Sequence, residues 1–538
     1  MLSIMWFVTG VVLLINTLLW SVYIAWWGVF GLVPVAAAFF LCRLTSGRET
    51  VDDPAIGWDI GEGIDIDNPD QPRKVRVVLE DNALNLGMLA IGGPMSGKTV
   101  MAIGFLHYLD QHRQGGWAYW EGKGDREIYQ QVCACGAKPD RFFSTELPHS
   151  DTVNIFAGPT ENVIDRLTRT LISDESEYYG NAQRAAIRKV VPLLKSLGTP
   201  VSLQDLYVTL ILPEAAMYVL NQARQKQVPA TIIEAARLFF DIEEGERMNQ
   251  INGLLNRMDI FVTGSIAGRI NAYAPTLDLS KAAAEGQKVY LHMPYGQLTK
   301  DIATMLTEEI GVIATHRQLY ENNRVPWPQV FDDWGAFFYD NFGPITARCR
   351  SAKMPISFLF QSRGQTDRVD GNRIFTTEIT DNIGSLVILR INGHDTAEWA
   401  AKQFGSYDTT ELSHSQNTAY EGNNLTTMRA PRLDAGNLKN LNAGEAYINC
   451  LVTGEGGAVS NQRYKARFPL PDFSGAETID WPLIEVEDNN DQPGLHLWRD
   501  FMDRDRLREL KKQVVKQSED NKAPQESNTD RVREVDFL

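Results

Sequence analysis

Cysteine is scarce, and basic residues are outnumbered. Five cysteines stand in 538 residues, at Cys42, Cys133, Cys135, Cys349 and Cys450. Only Cys133 and Cys135 lie close together, and no second pair accompanies them. That excludes a zinc site built from two cysteine pairs and argues against a disulfide framework, so free thiols in a reducing compartment are expected. Lys plus Arg number 52 against 68 for Asp plus Glu, a formal net charge of −16. This balance argues against a surface coated in basic residues for duplex DNA. It leaves room for a locally basic channel, because net charge says nothing about distribution. Charge of either sign is missing altogether from residues 1–42, which are rich in Leu, Val, Ile, Phe and Trp. Hydrophobic residues make up 43% of the chain, so global disorder is not expected, and the length points to two or three domains.

A membrane-spanning helix needs about 20 apolar residues. The uncharged run is about twice that, and as one straight helix it would rise ~63 Å against a hydrocarbon layer of ~30 Å. Two helices joined near Ser21 to Gly28 fit better. Trp20, Tyr23, Trp26 and Trp27 cluster at that connection, where amphipathic rings favour the membrane–water boundary. Arg43 and Arg48 follow at once, which places the downstream chain on the cytoplasmic side. A transmembrane hairpin anchor over residues 1–48 is expected. The competing readings are a single tilted span and a cleaved signal peptide, which would want an early basic region.

The chain is organised around Gly92-Gly93-Pro94-Met95-Ser96-Gly97-Lys98-Thr99, a G-x-x-x-x-G-K-T pattern. Before it Met88 to Ile91 reads as a buried strand, and after it Val100 to Leu106 can continue as a helix. Strand, glycine loop, Lys-Thr and helix make the pattern a P-loop rather than a glycine turn with a chance lysine. Gly92 and Gly97 allow a tight turn whose N–H groups face phosphate oxygens. Lys98 would reach the β- and γ-phosphates, and Thr99 would hold Mg²⁺.

Around the loop, strands alternate with helices, which predicts an α/β domain with a covered parallel sheet. Strands are expected at Val75–Leu79, Gly116–Trp120, Lys288–Pro294, a run from Gln329, Ile356–Phe360, Ser385–Arg390 and Ala446–Leu451, with a long helix from Lys300 to about Tyr320. Residues 161–270 change character. Apolar residues recur there at helical spacing, as in Ala185-Ile187-Val190-Val191-Leu194, with Asn181 and Gly198 placed as caps. This reads as an all-α insertion, with long crossover helices as the other reading. The motor would then comprise residues 49–160 and 271–484. From Glu485 the composition turns polar, predicting a C-terminal helix near Trp498–Val515 and a disordered tail to residue 538.

A P-loop needs acidic residues near its Lys-Thr end. Asp332-Asp333 end a strand, so Asp332 is expected to act through the metal beside Thr99 and Asp333 to polarise the attacking water. A non-catalytic acidic strand end is the alternative. Gln361 ends the next apolar strand, where ligands of parallel sheets sit, and can hydrogen-bond γ-phosphate and water. Arg348 and Arg350 precede that strand. Arg350 is the favoured arginine finger toward a neighbouring subunit's nucleotide.

The ordered set resembles the coupling proteins of type IV secretion systems, the inner-membrane ATPases of bacterial conjugation. The P-loop is followed by Tyr119 to Asp125, similar to the family's strand ending in Asp-x-Lys-Gly. Asn154-Ile155-Phe156, Leu277-Asp278-Leu279, Asp332-Asp333-Trp334, Arg350-Ser351-Ala352 and Gln361-Ser362 follow in the family's order, then Asn382 to Arg390, Thr396-Ala397 and Phe404-Gly405. Glu121 stands where the family usually has aspartate, and Asp333 where it usually has glutamate. The resemblance implies a RecA-like P-loop NTPase motor with an inserted all-α domain, using ATP and Mg²⁺. It implies a homo-hexamer in the bacterial inner membrane, coupling a relaxase–DNA complex to a type IV secretion channel and driving single-stranded DNA. Two other functions stay open: a docking receptor for protein substrates with weak hydrolysis, and a duplex-DNA translocase of the chromosome-partitioning type.

Overall fold

A computed structural model describes residues 57–502, apart from 114, 173–176, 338–341, 368–378, 418–419, 454–458 and 487. The expected hairpin at residues 1–48, the part of the expected C-terminal helix beyond residue 502 and the expected tail after it lie outside the described residues.

The apolar runs become strands. In chain order these are β1 (Gly57–Asp65), β2 (Arg73–Glu80), β3 (Met88–Ile91), β4 (Trp117–Glu121), β5 (Arg141–Ser144), β6 (Lys288–His292), β7 (Gln329–Asp332), β8 (Ile356–Phe360) and β9 (Ser385–Ile388). A hairpin, β10 (Ser406–Asn417) and β11 (Tyr420–Pro431), forms a separate two-stranded sheet, and β12 (Glu445–Thr453) and β13 (Val459–Arg467) rejoin the main one. The main sheet has eleven strands in the order β2-β1-β13-β12-β9-β3-β8-β7-β4-β6-β5. From β9 to β5 all neighbours are parallel. β12 runs antiparallel to β9, β13 to β12 and β1 to β13.

Parallel strands are covered on both faces, which is why they read as unbroken apolar runs. β3 shows how the two faces separate. Leu89 and Ile91 join a core that extends into the helical region, while Met88 and Ala90 join a second core with Phe105 and Leu106 of α1 (Lys98–His112). The antiparallel flank is less covered, and β2 carries exposed Arg73, Lys74 and Arg76 on its outer positions.

Between β5 and β6 the chain is helical. Helices occupy Thr160–Leu171, Glu177–Ser196, Leu203–Ile211, Pro213–Gln225, Ala230–Phe240 and Glu244–Thr263. Their apolar stripes close on one another, for example Val163, Leu167 and Leu171 against Ile187, Val190 and Leu194. Asn181 sits inside its helix instead of capping it, because helical structure already covers Glu177. Gly198 follows that helix with φ of 68°, a left-handed turn suited to glycine. Leu203–Ile211 carries a capping box in which Ser202 and Asp205 exchange bonds.

Among the described residues no single helix is long and apolar enough to cross a membrane. Leu203–Ile211 and Pro213–Gln225 pass a length and composition test only as a pair bent by 114°, and Leu203, Leu206, Val208, Leu210, Val219 and Leu220 of the pair belong to the protein core.

The segment after residue 488 packs on the helical region. Asp205 accepts from the Tyr273 hydroxyl (3.0 Å) and from the Leu497 amide (2.8 Å), and the Leu495 amide donates to the Pro200 carbonyl (3.0 Å). A short helix, Leu497–Phe501, buries Leu497 and sets Trp498 beside Tyr207.

Candidate functional site

The loop after β3 is held between both flanking strands. The Gly92 amide donates to the Phe360 carbonyl (3.2 Å) at the end of β8, and the Gly93 amide donates to the Arg390 carbonyl (2.7 Å) just past β9. A Cβ on Gly92 would stand 2.5 Å from Ser96 Oγ and 2.9 Å from Leu389 Cβ, so the close approach requires glycine. Gly97 has φ of 95° and leads into α1. Pro94 and Met95 form the exposed tip, with Met95 in left-handed conformation at φ of 56°.

Lys98 is buried, and its ammonium donates to the carbonyls of Gly92 (2.5 Å) and Gly93 (3.2 Å). Burial pulls its pKa down to about 8. The charge of Lys123 adds to this, while Asp332 and Asp333 oppose it. An anion in the loop would supply the negative charge this ammonium lacks.

Strand register brings the acidic residues to the same sheet edge. Glu121 pairs with Asp332 across β4 and β7, Asp332 with Leu359 of β8, and Ile91 with Phe360. Asp332 is fully buried, and its Oδ2 accepts from the hydroxyls of Thr99 and Tyr119 (each 3.0 Å) and from the Lys123 ammonium (3.1 Å). The other oxygen, Asp332 Oδ1, is buried without a hydrogen-bond partner. A carboxylate oxygen left free beside a threonine hydroxyl is a donor set that suits Mg²⁺, which takes one or two protein oxygens and completes its shell with water and phosphate. Asp333 follows at φ of 58°, and its Oδ1 is likewise buried and unpartnered. Aspartate tolerates left-handed backbone better than longer acids do, which gives a local reason for the shorter side chain at this turn.

Gln361 directly follows β8, beside the start of the P-loop, and its backbone N–H donates to Gln365 Oε1 (2.9 Å). Arg350 is not part of this cluster. It lies exposed in the last turn of the helix Phe342–Ser351, which runs back from the end of β7 toward the start of β8, so it stands at the opposite sheet edge from its own P-loop. The Lys353 amide donates to the Arg350 carbonyl (3.3 Å), and the Lys353 carbonyl accepts from Trp327, ahead of β7. Arg348 lines a separate cleft with His316 and Tyr320.

Four residues that the motif reading did not place in the site join it. Tyr119 and Lys123 touch Asp332, and Arg390 reaches the carbonyls of Pro94 (3.4 Å) and Met95 (3.5 Å). Glu121 is buried and accepts from the amides of Lys123 (2.6 Å) and Gly124 (3.0 Å). The signal for Glu121 and Lys123 was the segment similar to Asp-x-Lys-Gly.

Burial pushes the Glu121 pKa from 4.5 up to about 7. The amides of Lys123 and Gly124 oppose this, and the charge of Asp332 adds to it. Because the folded value lies above the unfolded one, the stabilising contribution is complete below pH 4.5 and is lost as pH rises through 7. Wild-type protein is therefore expected to lose stability relative to Glu121→Gln across that window, by about 3 kcal/mol. Thermal melts of both proteins over pH check this, and parallel curves would contradict it.

Comparisons with known proteins find similar folds and one matching family model. Residues 334–442 match a family model described as the TraM recognition site of TraD and TraG. The unbound bacterial conjugative coupling protein TrwB superposes with a TM-score of 0.55 at 14% identity, covering 76% of this chain and 90% of that one. TrwB bound to a non-hydrolysable GTP analogue gives 0.53 at 13% identity, covering 76% and 91%. TrwB with ADP and Mg²⁺ gives 0.52 at 12%, covering 74% and 88%. No curated protein sequence matches significantly. The chain thus shares its α/β fold with a conjugative coupling protein, and the coupling-protein resemblance carried by the motifs is borne out.

Proposed function

We propose that the chain is a membrane-anchored ATPase that couples a relaxase–DNA complex to a type IV secretion channel and drives single-stranded DNA during conjugation. The observation that carries this reading is the meeting of Thr99 and Asp332, 233 residues apart in sequence, beneath a P-loop. In this proposal the RecA-like motor comprises residues 49–160 and 271–484, the all-α domain residues 161–270, the anchor residues 1–48, and the C-terminal helix and tail residues 485–538. The motor works as a homo-hexamer in the inner membrane.

The loop Gly92–Thr99 cradles the ATP phosphates with its amides, and Lys98 neutralises charge on the β- and γ-phosphates. Thr99 and Asp332 would hold Mg²⁺, which would supply charge neutralisation at the phosphates. Asp333 orients the attacking water and accepts its proton. Gln361 reports γ-phosphate to the neighbouring strand end. Arg350 serves a neighbouring subunit's nucleotide, because it stands exposed at the sheet edge opposite its own P-loop. The segment 334–442 carries recognition of the relaxosome, and the β10–β11 hairpin lies within it.

ATP hydrolysis by the full-length protein in detergent, with and without single-stranded DNA, tests the reading. Turnover stimulated several-fold by single strands is expected, because strand binding in the pore is coupled to the subunit contacts that complete each site. Unstimulated turnover together with no DNA binding at low salt would favour a second reading. In that reading the chain is a docking receptor for protein substrates with regulatory hydrolysis, favoured by the match of residues 334–442 to a recognition site.

A further inference from the structure

Lys123 occupies an unexpected position. Its ammonium lies against Thr99 Oγ1 and against Asp332 Oδ2, the latter at 3.1 Å, and so on the hydroxyl and the carboxylate group that suit a divalent cation. The backbone beneath it is fixed. Glu121 accepts from the amides of Lys123 and Gly124, and the Gly122 amide donates to the Asp332 carbonyl (3.3 Å). Gly122 lies close under the Phe337 ring, where an added Cβ would stand 3.1 Å from ring carbons, and Gly124 takes φ of 75°. The side chain is different: it is 30% exposed, while that of Asp332 is wholly enclosed. A flexible four-carbon stem thus carries a cation from a rigid turn onto an enclosed carboxylate and a half-buried hydroxyl, with an open route back to solvent.

We infer that Lys123 is a tethered cation that competes with Mg²⁺ for Thr99 and Asp332, so that loading of the metal–nucleotide complex is coupled to withdrawal of this side chain. Two cations cannot share one carboxylate at contact distance in a buried site without strong repulsion. Mg²⁺ also demands oxygen neighbours at about 2.0–2.1 Å, closer than an ammonium allows. Lys123 keeps the Asp332 charge compensated when metal is absent, and its displacement sets the Mg²⁺ concentration at which nucleotide is held. The residue positions the metal ligands and is not assigned a chemical step.

This inference rests on the Mg²⁺–nucleotide reading of the P-loop, and the test separates the two. Full-length wild-type, Lys123→Met and Lys123→Arg proteins are titrated with Mg²⁺ in the presence of N-methylanthraniloyl-ADP, and each is melted in EDTA and in Mg²⁺ without nucleotide. In Lys123→Met the Mg²⁺ needed for half-maximal binding is expected to fall about five- to tenfold, with Lys123→Arg close to wild type. The Met variant should melt below wild type in EDTA and recover with Mg²⁺ alone. If Lys123→Met does not fold, Lys123→Gln takes its place in both arms. An unchanged or raised Mg²⁺ requirement with wild-type melting in EDTA overturns the competition. Loss of nucleotide binding at every Mg²⁺ concentration also overturns it, and makes Lys123 a phosphate ligand. A wild-type protein without Mg²⁺-dependent binding overturns the nucleotide-site reading and this inference together.

Discussion

Lys98→Met is expected to reduce ATP turnover about 10²–10³-fold, the usual loss when one preorganised charge donor is removed from a site of this kind. The same change is expected to raise the melting temperature of the nucleotide-free protein. Burial holds the Lys98 pKa at about 8, below the 10.5 of a free lysine. A folded value below the unfolded one means that the buried charge opposes folding. That penalty is fully present below pH 8 and is relieved as pH rises toward 10.5. Replacing the ammonium with a chain of similar length and no charge removes a penalty of at most about 3 kcal/mol, less the two carbonyl hydrogen bonds it forfeits. Nucleotide should reverse the order, stabilising wild type and not the variant. Steady-state hydrolysis and thermal melts with and without ATP check both halves. Turnover within tenfold of wild type would remove Lys98 from the mechanism.

Asp332→Ala is expected to have the opposite effect on stability and a similar one on turnover. The buried carboxylate accepts three hydrogen bonds through one oxygen, and its removal leaves the hydroxyls of Thr99 and Tyr119 and the Lys123 ammonium without their common partner. Breaking a buried ion pair costs about 3–5 kcal/mol, and the partial exposure of Lys123 moves this case toward the lower figure. Turnover should fall at least about 10²-fold, and added Mg²⁺ should not restore it, because the metal loses its protein carboxylate. Asp332→Asn separates the two effects. It keeps the shape and an acceptor while weakening metal binding, so it should fold better than the alanine variant yet turn over as poorly. Full activity in either variant would exclude Asp332 as the metal ligand.

The sequence by itself determined the parts that local chemistry encodes. The P-loop is legible because a glycine spacing between an apolar run and a helix has few other uses. The parallel strands are legible because covering both faces demands unbroken apolar residues. Asp332 and Gln361 were found because they end such runs. The helices between residues 160 and 270 showed as a 3.6-residue period.

Tertiary structure alone decided what those parts meet. Strand order is set by crossover connections and by packing on two faces, and neither leaves a mark in a single strand's composition. Only the placing of β7 and β8 between β3 and β4 brings Thr99 to Asp332 and seats Gln361 beside Gly92. The same arrangement puts Arg350 at the far edge, since a helix joining parallel strands must run back across the sheet. The β10–β11 hairpin was not legible, because its sequence is mostly polar and carries no apolar–polar alternation. Lys123 belongs to the segment similar to Asp-x-Lys-Gly, but no spacing says that its charge lies on the oxygens beneath the loop. That contact exists because Glu121 fixes one turn and the sheet register carries that turn to Asp332, a long-range consequence of packing.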